Sequence, residues 1–265
     1  MSELIDTHCH LEPFVTKGTL STVLTQADFT SVKRMIAVGT DPEDWPVYQK
    51  LASEYPDKIY YSIGLHPCYV KENYVDAIEQ IAHYVESSPR PVAIGEIGLD
   101  YFHLPQDQEQ IKQTITHQKQ SFRLQLELAS KYNLPVIIHS RKAFKDCVDL
   151  IDASPVDWKQ VVFHCFPDGP EEVKILNERG GRASFTGIIT YKKSENIRQA
   201  ALQQGLDLLM LETDAPYLSP EPCRGKPNEP AYLQHTAQFC AKLFKISLEE
   251  LAEATTRNAV EFFSL

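Results

Sequence analysis

The feature that most constrains the fold of this chain is an alternation of short apolar runs and amphipathic segments along its whole length. Eight nearly continuous apolar runs are separated by segments in which apolar residues recur at helical spacing. This alternation is typical of parallel strands that are buried beneath helices. The predicted strands lie at residues 4–11, 35–39, 59–67, 91–101, 134–139, 161–164, 182–187 and 208–214.

The segments between the strands, and the carboxyl-terminal part, predict helices. The main ones cover residues 20–29, 42–55, 73–85, 106–132, 229–244 and 247–263. The chain has no linker and no low-complexity tract, and α/β barrels of about this length commonly form one domain. We therefore predict an α/β fold, a single-domain (β/α)8 TIM-like barrel over residues 1–265, either regular or distorted. A doubly wound open sheet is the alternative, because alternation alone does not establish closure.

Composition narrows the class of protein. The chain is 43% hydrophobic and 23% charged, as in ordinary globular proteins, and no apolar run is long enough to span a membrane. Its first residues lack the pattern of a signal peptide, so we expect a cytoplasmic protein without a membrane partner. The formal net charge of −10 argues against a protein that coats nucleic acid through a general basic surface. It does not exclude a nucleic-acid enzyme whose bound cations supply a local positive field.

The six cysteines are scattered, and none belongs to a Cys-x-x-Cys pair. In a chain large enough to bury its own core, this pattern indicates reduced thiols rather than disulfides. Cys9, Cys68 and Cys165 stand within two residues of a histidine. We expect each of them to fill a small buried site rather than to bind a metal.

Polar residues stand at the carboxyl ends of several predicted strands. They are His8, His10, His66, Glu96, His139, His164 and Asp214. In a closed barrel these strand ends converge on one mouth, whereas an open sheet would hold His8 and Asp214 far apart. The remaining histidines, His83, His103, His117 and His235, fall in helices or loops and are assigned no catalytic role.

This set of side chains indicates a metal site. Alternate strand positions such as His8 and His10 share a face and can chelate one ion. With His66 set aside, four imidazoles and two carboxylates remain; they exceed the three protein ligands that a catalytic zinc takes, and they suit two divalent ions, Mg²⁺, Mn²⁺ or Zn²⁺. In such pairs one carboxylate bridges ions about 3.5–4 Å apart, and the pair activates a water for hydrolysis.

The motifs in this chain resemble those of the TatD family of metal-dependent deoxyribonucleases, in family order and over nearly the whole chain. They are Asp6-Thr7-His8-Cys9-His10, Gly64-Leu65-His66-Pro67, Gly95-Glu96-Ile97-Gly98-Leu99-Asp100-Tyr101, residues 135–141, residues 163–166, Leu211-Glu212-Thr213-Asp214-Ala215-Pro216-Tyr217-Leu218 and residues 224–230.

The resemblance implies a distorted barrel of the amidohydrolase type and a set of metal ligands. By this resemblance, His8 and His10 bind the first ion together with Asp214, and Glu96 bridges. His139 and His164 complete the second site. Related hydrolases often use a carbamylated lysine as the bridge, and Glu96 at that place favours the nuclease branch.

The mechanism that we expect is two-metal hydrolysis of a phosphodiester, in which a metal-bound hydroxide attacks phosphorus. Asp214 takes the proton of the water, and Glu96 and His66 complete the catalytic set. His66 contacts a phosphate oxygen or protonates the departing oxygen, or it serves only as a hydrogen-bond partner of the ligands. Arg224 and Lys226 are the expected phosphate contacts on the loop after the eighth strand.

Other motif residues are expected to orient these groups. Glu212 and Asp100 are predicted to hold ligands or loops in place. Asn228 and Glu229 are predicted to fix the loop and cap the following helix. Residues 166–170 depart from the common family pattern after His164, so no specific contact of that loop is carried over.

Three functions of different class are compatible with the sequence. The first is a deoxyribonuclease with 3′-to-5′ exonuclease activity on single-stranded DNA ends, without an obligate protein partner. The second is a metal-dependent amidohydrolase or lactonase with a small substrate, because fold alone does not determine the bond that is cleaved. The third, an interaction protein without catalysis, is disfavoured because the full set of ligand-type residues is retained.

Overall fold

Eight parallel strands form the centre of the molecule, as seen in a computed structural model that describes residues 3–265. Met1 and Ser2, part of the stretch considered above for a signal peptide, lie outside the described residues. The strands pair in sequence order, from β1 next to β2 through to β7 next to β8. Their bounds are β1 (Leu4–Cys9), β2 (Val32–Val38), β3 (Ile59–Ile63), β4 (Ala93–Asp100), β5 (Val136–Arg141), β6 (Val161–Phe163), β7 (Arg182–Phe185) and β8 (Met210–Leu211).

The sheet closes where the chain passes beyond β8. The amide of Asp214 donates to the carbonyl of His8 at 2.9 Å, and the amide of His10 donates to the carbonyl of Ala215 at 2.7 Å. These bonds join the first and last strands at the mouth. The predicted TIM-like barrel is therefore confirmed, and the open-sheet alternative is wrong.

Helices surround the strands. They are α1 (Glu12–Thr16), α2 (Leu20–Phe29), α3 (Trp45–Glu54), α4 (Tyr74–Glu86), α5 (Gln108–Tyr132), α6 (Phe144–Asp152), α7 (Pro170–Arg179), α8 (Glu195–Gln204), α9 (Leu233–Phe244) and α10 (Leu248–Phe263). Asp107 starts α5 by accepting hydrogen bonds from the amides of Glu109 and Gln110, and Asn133 ends it in a left-handed conformation. Within the described residues, none of these helices has the length and apolar character needed to cross a membrane.

The core has two parts. The larger part packs the outer faces of the strands against the helices. The smaller part includes Ile137 and Val162, together with Phe262 and Phe263 of α10. Since alternate residues of a strand share a face, Ile137 lies beneath His139 and Val162 lies beneath His164. The interior of the barrel is therefore apolar on the side of α10 and polar at the mouth.

Two strands carry one residue more than their neighbours over a short stretch. In β1, Asp6 pairs with Met35 and Cys9 pairs with Ala37. The chain therefore advances three residues along β1 while it advances two along β2. In β4, Ile94 pairs with Val136 and Ile97 with Ile138, with the same mismatch. Such bulges bend a strand and redirect a side chain. One falls at the residues around His8 and the other at the residues around Glu96.

Buried glutamines on the helices pair with strand backbone as another strand would. In each case the side-chain amide accepts from the backbone N–H of one residue and donates to the carbonyl of the same residue. The pairs are Gln118 with Asp100, Gln125 with Leu65, and Gln204 with Ala183. All three glutamines are buried, so these bonds satisfy both backbone groups of a residue in or next to a strand by means of a helix side chain.

Several predicted boundaries are corrected. The third strand ends at Ile63, and His66 precedes a short 3-10 helix at Pro67–Tyr69. The eighth strand contains only Met210–Leu211, so Asp214 lies in the following loop. The predicted helix at 229–244 begins with a 3-10 turn at Pro230–Tyr232, and its α-helical part starts at Leu233.

Candidate metal centre

The six predicted ligand side chains meet at the mouth of the barrel. His8 belongs to β1, Glu96 to β4 and His139 to β5, whereas three others lie just beyond strand ends. His10 follows β1, His164 follows β6 and Asp214 follows β8. Residues separated by more than two hundred positions are thus brought within a few ångströms of each other.

Glu96 lies at the middle of this group. Its Oε1 is 2.7 Å from Nε2 of His164, 2.8 Å from Nδ1 of His139 and 3.3 Å from Nε2 of His66. Its Oε2 is 3.4 Å from Nε2 of His8. Burial by itself would raise the pKa of Glu96, but His164 and the other imidazoles hold it well below the ordinary value. Glu96 is therefore a fixed negative charge, with its two oxygens directed at different strands.

Asp214 supplies the second central carboxylate. Its Oδ1 is 3.3 Å from Nε2 of His10 and 3.8 Å from Nε2 of His8. The backbone of Asp214 is left-handed, with φ of 57°, which aspartate tolerates better than most residues. Burial opposes ionisation, yet the contact with His10 lowers the pKa of Asp214. The loop conformation thus delivers a charged carboxylate to the mouth.

His8 provides the test of whether a metal fits these residues. Its side chain is fully buried, and neither ring nitrogen has a hydrogen-bond partner among the described residues. A buried polar group left without a partner costs about 1–3 kcal/mol. Nε2 of His8 lies between the carboxylates of Glu96 and Asp214, and the ring stacks on His164 with centroids 3.9 Å apart. A divalent cation would satisfy this nitrogen and both carboxylates, so the donor set fits a metal.

Contacts on the far side of two imidazoles determine which nitrogen faces the centre. Nδ1 of His10 donates to the carbonyl of Val38 at 3.2 Å, which leaves Nε2 toward Asp214. His139 is reversed: Nε2 contacts Asp100 at 3.0 Å, and Nδ1 faces Glu96. Such outer partners fix ring orientation and strengthen ligands. Asp100 therefore orients a ligand, as predicted, while its own pKa is kept low against burial by His139 and His103.

The loop that carries Asp214 is held by side chains in addition to its backbone bonds with His8 and His10. Asp6 accepts from the amide of Thr213 at 2.9 Å and from its hydroxyl at 2.5 Å. The side-chain amide of Asn228 donates to the backbone carbonyls of Thr213 and Tyr217 at 2.8 and 2.6 Å. Asn228 fixes the loop as predicted, but the predicted helix cap is wrong, because Glu229 makes no side-chain capping hydrogen bond. Asp6, which sequence reasoning placed in a motif without a role, fastens β1 to this loop.

Glu212 supports the neighbouring strand end. It accepts from the amide of Cys165 at 2.6 Å and from the hydroxyl of Ser184 at 2.5 Å. Its Oε1 also lies 3.5 Å from Nδ1 of His164, although this approach is not aligned for a hydrogen bond. Glu212 thus holds the turn that presents His164, in line with the predicted orienting role.

A cavity of about 980 Å³ opens above the centre. His66, Arg141 and Tyr217 are among its lining residues. Arg224 and Lys226 are exposed and do not line it; Arg224 packs over the ring of Tyr191, with 4.2 Å between Cζ and the centroid. The predicted phosphate-binding role of these two residues stays a prediction. Among the residues that line the cavity, Arg141 is the single lysine or arginine.

His66 has a defined protonation state. Its Nδ1 accepts a hydrogen bond from the amide of Cys68 at 3.1 Å, so this nitrogen carries no proton. Burial lowers the pKa of His66, which leaves the ring neutral with its proton on Nε2. Nε2 faces Glu96 and the cavity. His66 is therefore placed to donate a hydrogen bond.

The expectation for the cysteines holds only in part. Cys9 is buried, and Cys165 is half-buried. Cys68 is exposed at the cavity wall, so the expectation that it fills a buried site is wrong. The reason is the early end of β3, which leaves residues 64–70 in a loop and short 3-10 turn at the rim.

Comparisons with known proteins agree with this picture. A family model described as TatD related DNase matches residues 5–264. The chain is 34% identical to an uncharacterized metal-dependent hydrolase, YcfH, of Escherichia coli, over 99% of this chain and 96% of that protein. It is 35% identical to an uncharacterized metal-dependent hydrolase, YabD, of Bacillus subtilis, over 99% of both chains. The crystal structure of YjjV, a TatD homolog from Escherichia coli, superposes with a TM-score of 0.88 at 28% identity, covering 99% of this chain and 98% of that one.

Proposed function

Because the chain belongs to the TatD family of metal-dependent hydrolases, we propose that it is a deoxyribonuclease that removes nucleotides from single-stranded DNA ends in the 3′-to-5′ direction. One observation carries this proposal. A single buried carboxylate, Glu96, faces imidazoles from both sides of a barrel mouth, with a second carboxylate and a cavity of about 980 Å³ beside it. Cavities near the upper end of the usual range accept ligands larger than a simple metabolite.

Two divalent ions fit this arrangement. His8, His10 and Asp214 would hold the first, His139 and His164 the second, and Glu96 would contribute to both through its two oxygens. When bound, such ions lower the pKa of a water and neutralise the charge on a transferring phosphoryl group. The relatives share the description metal-dependent hydrolase, which supports a metal requirement in this chain.

Asp214 is the residue that we assign as proton acceptor. Both of its imidazole contacts are made by Oδ1, so Oδ2 is the oxygen assigned to the proton of the attacking water. A base must lie within hydrogen-bond reach of the proton that it removes, and the left-handed turn at Asp214 brings this carboxylate to the cavity wall.

His66 and the cations of the rim are assigned to the substrate. Neutral His66 donates from Nε2 to a phosphate oxygen, which fits its protonation state better than proton transfer to the leaving group. Arg141 lies at the cavity, where a terminal phosphate would bind. Arg224 and Lys226, outside the cavity, are assigned to phosphates further along a strand. Exposed Tyr69 and Tyr217 at the same rim offer rings on which bases can stack.

A metal-dependent amidohydrolase or lactonase with a small substrate is the second candidate. It is favoured by the charge of the cavity wall, where Arg141 is the one lysine or arginine among lining residues that also include Glu12 and Asp44. A polynucleotide would gain more from a wall with several cations. The two candidates use the same centre and differ in the bond that is cleaved.

A single-stranded oligonucleotide labelled at its 5′ end separates the candidates. With Mg²⁺, Mn²⁺ or Zn²⁺ we expect a ladder of products that shorten one nucleotide at a time, and none after chelation. Asp214→Asn should lower kcat by about 10²–10⁴-fold, the range of a general base. Asp207→Asn, an exposed aspartate remote from the mouth, is the matched control and should leave kcat unchanged.

Cleavage of small lactones or amides, with the oligonucleotide left intact under every metal, would overturn the nuclease proposal and support the second candidate. Full activity of Asp214→Asn would remove this residue from the mechanism while leaving the nuclease assignment in place.

A further inference from the structure

A cluster of three metal-ligating side chains lies on the wall of the cavity, outside the pair of ion sites. Sγ of Cys68, a carboxylate oxygen of Asp100 and a ring nitrogen of His103 all lie within 4.8 Å of one another. Cys68 belongs to the 3-10 turn after β3, Asp100 ends β4, and His103 lies in the loop that follows. From this geometry we propose a third metal site, in which Cys68, Asp100 and His103 bind one divalent ion, Zn²⁺ or Co²⁺.

The arrangement around one nitrogen supports an ion rather than a simple hydrogen bond. Oδ2 of Asp100 lies 3.0 Å from Nδ1 of His103, and Sγ of Cys68 lies 3.8 Å from the same nitrogen. A single N–H can be directed at only one of these partners, whereas an ion between them would bind all three atoms. Cysteine, histidine and aspartate in threes are a common ligand set for zinc sites that keep one open position.

Local hydrogen bonds already hold the three ligands in place. Oδ1 of Asp100 accepts from the amides of Phe102 and His103, both at 2.8 Å, which fixes the turn that presents the His103 ring. The amide of Cys68 donates to Nδ1 of His66 at 3.1 Å, which fixes the turn that presents the thiol. Little reorganisation is therefore needed when an ion binds. Both Cys68 and His103 line the cavity, so an ion can enter from solvent.

The ligand types separate this site from the pair below it. The pair is built from imidazole and carboxylate, which accept magnesium and manganese as well as zinc. A thiolate disfavours magnesium and manganese and selects zinc or cobalt. Burial and Asp100 raise the pKa of the Cys68 thiol to about 12, so a bound ion displaces a proton there. The pair can thus hold magnesium, manganese or zinc, whereas the third site takes zinc or cobalt and not magnesium.

Asp100 connects the proposed site to the metal pair. The same Oδ2 that faces His103 lies 3.0 Å from Nε2 of His139. An ion on Asp100 would therefore lie one carboxylate away from a ligand of the second ion. It would also link the turn after β3 to the neighbouring loop after β4.

Cobalt provides the first test, on the full chain after metal removal. Thiolate bound to Co²⁺ gives a near-ultraviolet charge-transfer band, and we expect this band to appear in the wild-type protein and to saturate by three equivalents, when the pair and the third site are all filled. The band should be missing in Cys68→Ser and weakened in His103→Asn. It should persist in Cys223→Ser, which removes a cysteine that is not part of the cluster. No band in the wild-type protein, or the same band in Cys68→Ser, would overturn the proposal.

Thiol protection provides a second test that needs no variant. In excess Mg²⁺, three equivalents of Zn²⁺, enough to fill the pair as well as the third site, should slow alkylation of Cys68 at least tenfold, as mapped by mass spectrometry, and should leave Cys223 unaffected. Equal alkylation of Cys68 with and without zinc would contradict the site. Neither test depends on nuclease activity, so the third site and the proposed function can fail independently.

Discussion

The two walls of the metal centre are built in different ways. The wall from β4 to β6 carries Glu96, His139 and His164, and its strands are paired through backbone ladders. The opposite wall, from β8 to β1, depends on a strand of two residues followed by a loop. There Asp6 and Asn228 hold Asp214 in place through side-chain hydrogen bonds. Position is thus set mainly by sheet ladders on one wall, whereas on the other wall two backbone bonds are supplemented by the side chains of Asp6 and Asn228.

This difference indicates where the centre is vulnerable. On the β4–β6 wall the ligand itself is the critical group, because the backbone around it is supported on both sides. On the β8–β1 wall a residue that touches no ion, such as Asn228, can be nearly as important as the ligand. Three measurements test this comparison, in order of decreasing effect.

Glu96→Ala should have the largest effect. Glu96 faces imidazoles on both walls, so its loss should reduce bound metal below two ions per chain and lower kcat by about 10³-fold or more. Metal content is measured by mass spectrometry after desalting. Glu178→Ala, at an exposed position on α7, is the control and should bind as much metal as the wild-type protein. Two tightly bound ions in Glu96→Ala would disprove a bridging role.

Asn228→Ala and Gln204→Ala separate loop support from fold support. Both remove a buried amide that satisfies backbone groups, so each should lower the free energy of unfolding by about 1–3 kcal/mol. Only Asn228→Ala should also lower kcat/KM, by about 10–100-fold, because Gln204 pairs with β7 away from the centre. Urea unfolding and steady-state kinetics give the two quantities. Equal losses of activity in both variants would show that the β8–β1 wall is not specially dependent on its side chains.

Arg141→Ala and Arg224→Ala should have the smallest effects. They test whether the substrate is contacted from the β4–β6 wall, where Arg141 ends β5, or from the loop after β8, which carries Arg224. Removing one cation that binds a phosphate should reduce the salt dependence of single-strand binding by about 0.7 in the log–log slope. Since Arg141 lines the cavity, its loss should weaken even the binding of a dinucleotide. The loss of Arg224 should matter only for longer strands. Weaker dinucleotide binding in Arg224→Ala alone would move the phosphate site to the loop after β8.

Much of the fold could be predicted because it rests on local patterns. Apolar runs and helical spacing located every strand and the main helices, and the motif residues were assigned to one mouth. The ends of the strands were harder, because an apolar run continues into the loop when the loop is buried. Leu65, for example, is buried and prolongs the apparent third strand, although its backbone pairs with Gln125 rather than with a strand.

Features that depend on pairing between distant segments could not be predicted from the sequence. The roles of Asp6 and of the pairing glutamines depend on which backbone group lies opposite, and periodicity carries no such information. Glu96 was expected at the carboxyl end of a strand, whereas it lies in the middle of β4 at a change of register. The exposure of Cys68 also depends on tertiary structure. The same tertiary structure places Cys68 next to Asp100 and His103.

The extra residues in β1 and β4 have a further consequence for how this barrel can change. Deleting one residue between Asp6 and Cys9, or between Ile94 and Ile97, would restore regular pairing with the neighbouring strand. The same deletion would remove the local bend that directs His8 or Glu96 at its partners, while the paired residues on either side would keep their faces. At these two points of the chain, a deletion that made the strand regular would therefore also disturb the ligands that the extra residue positions.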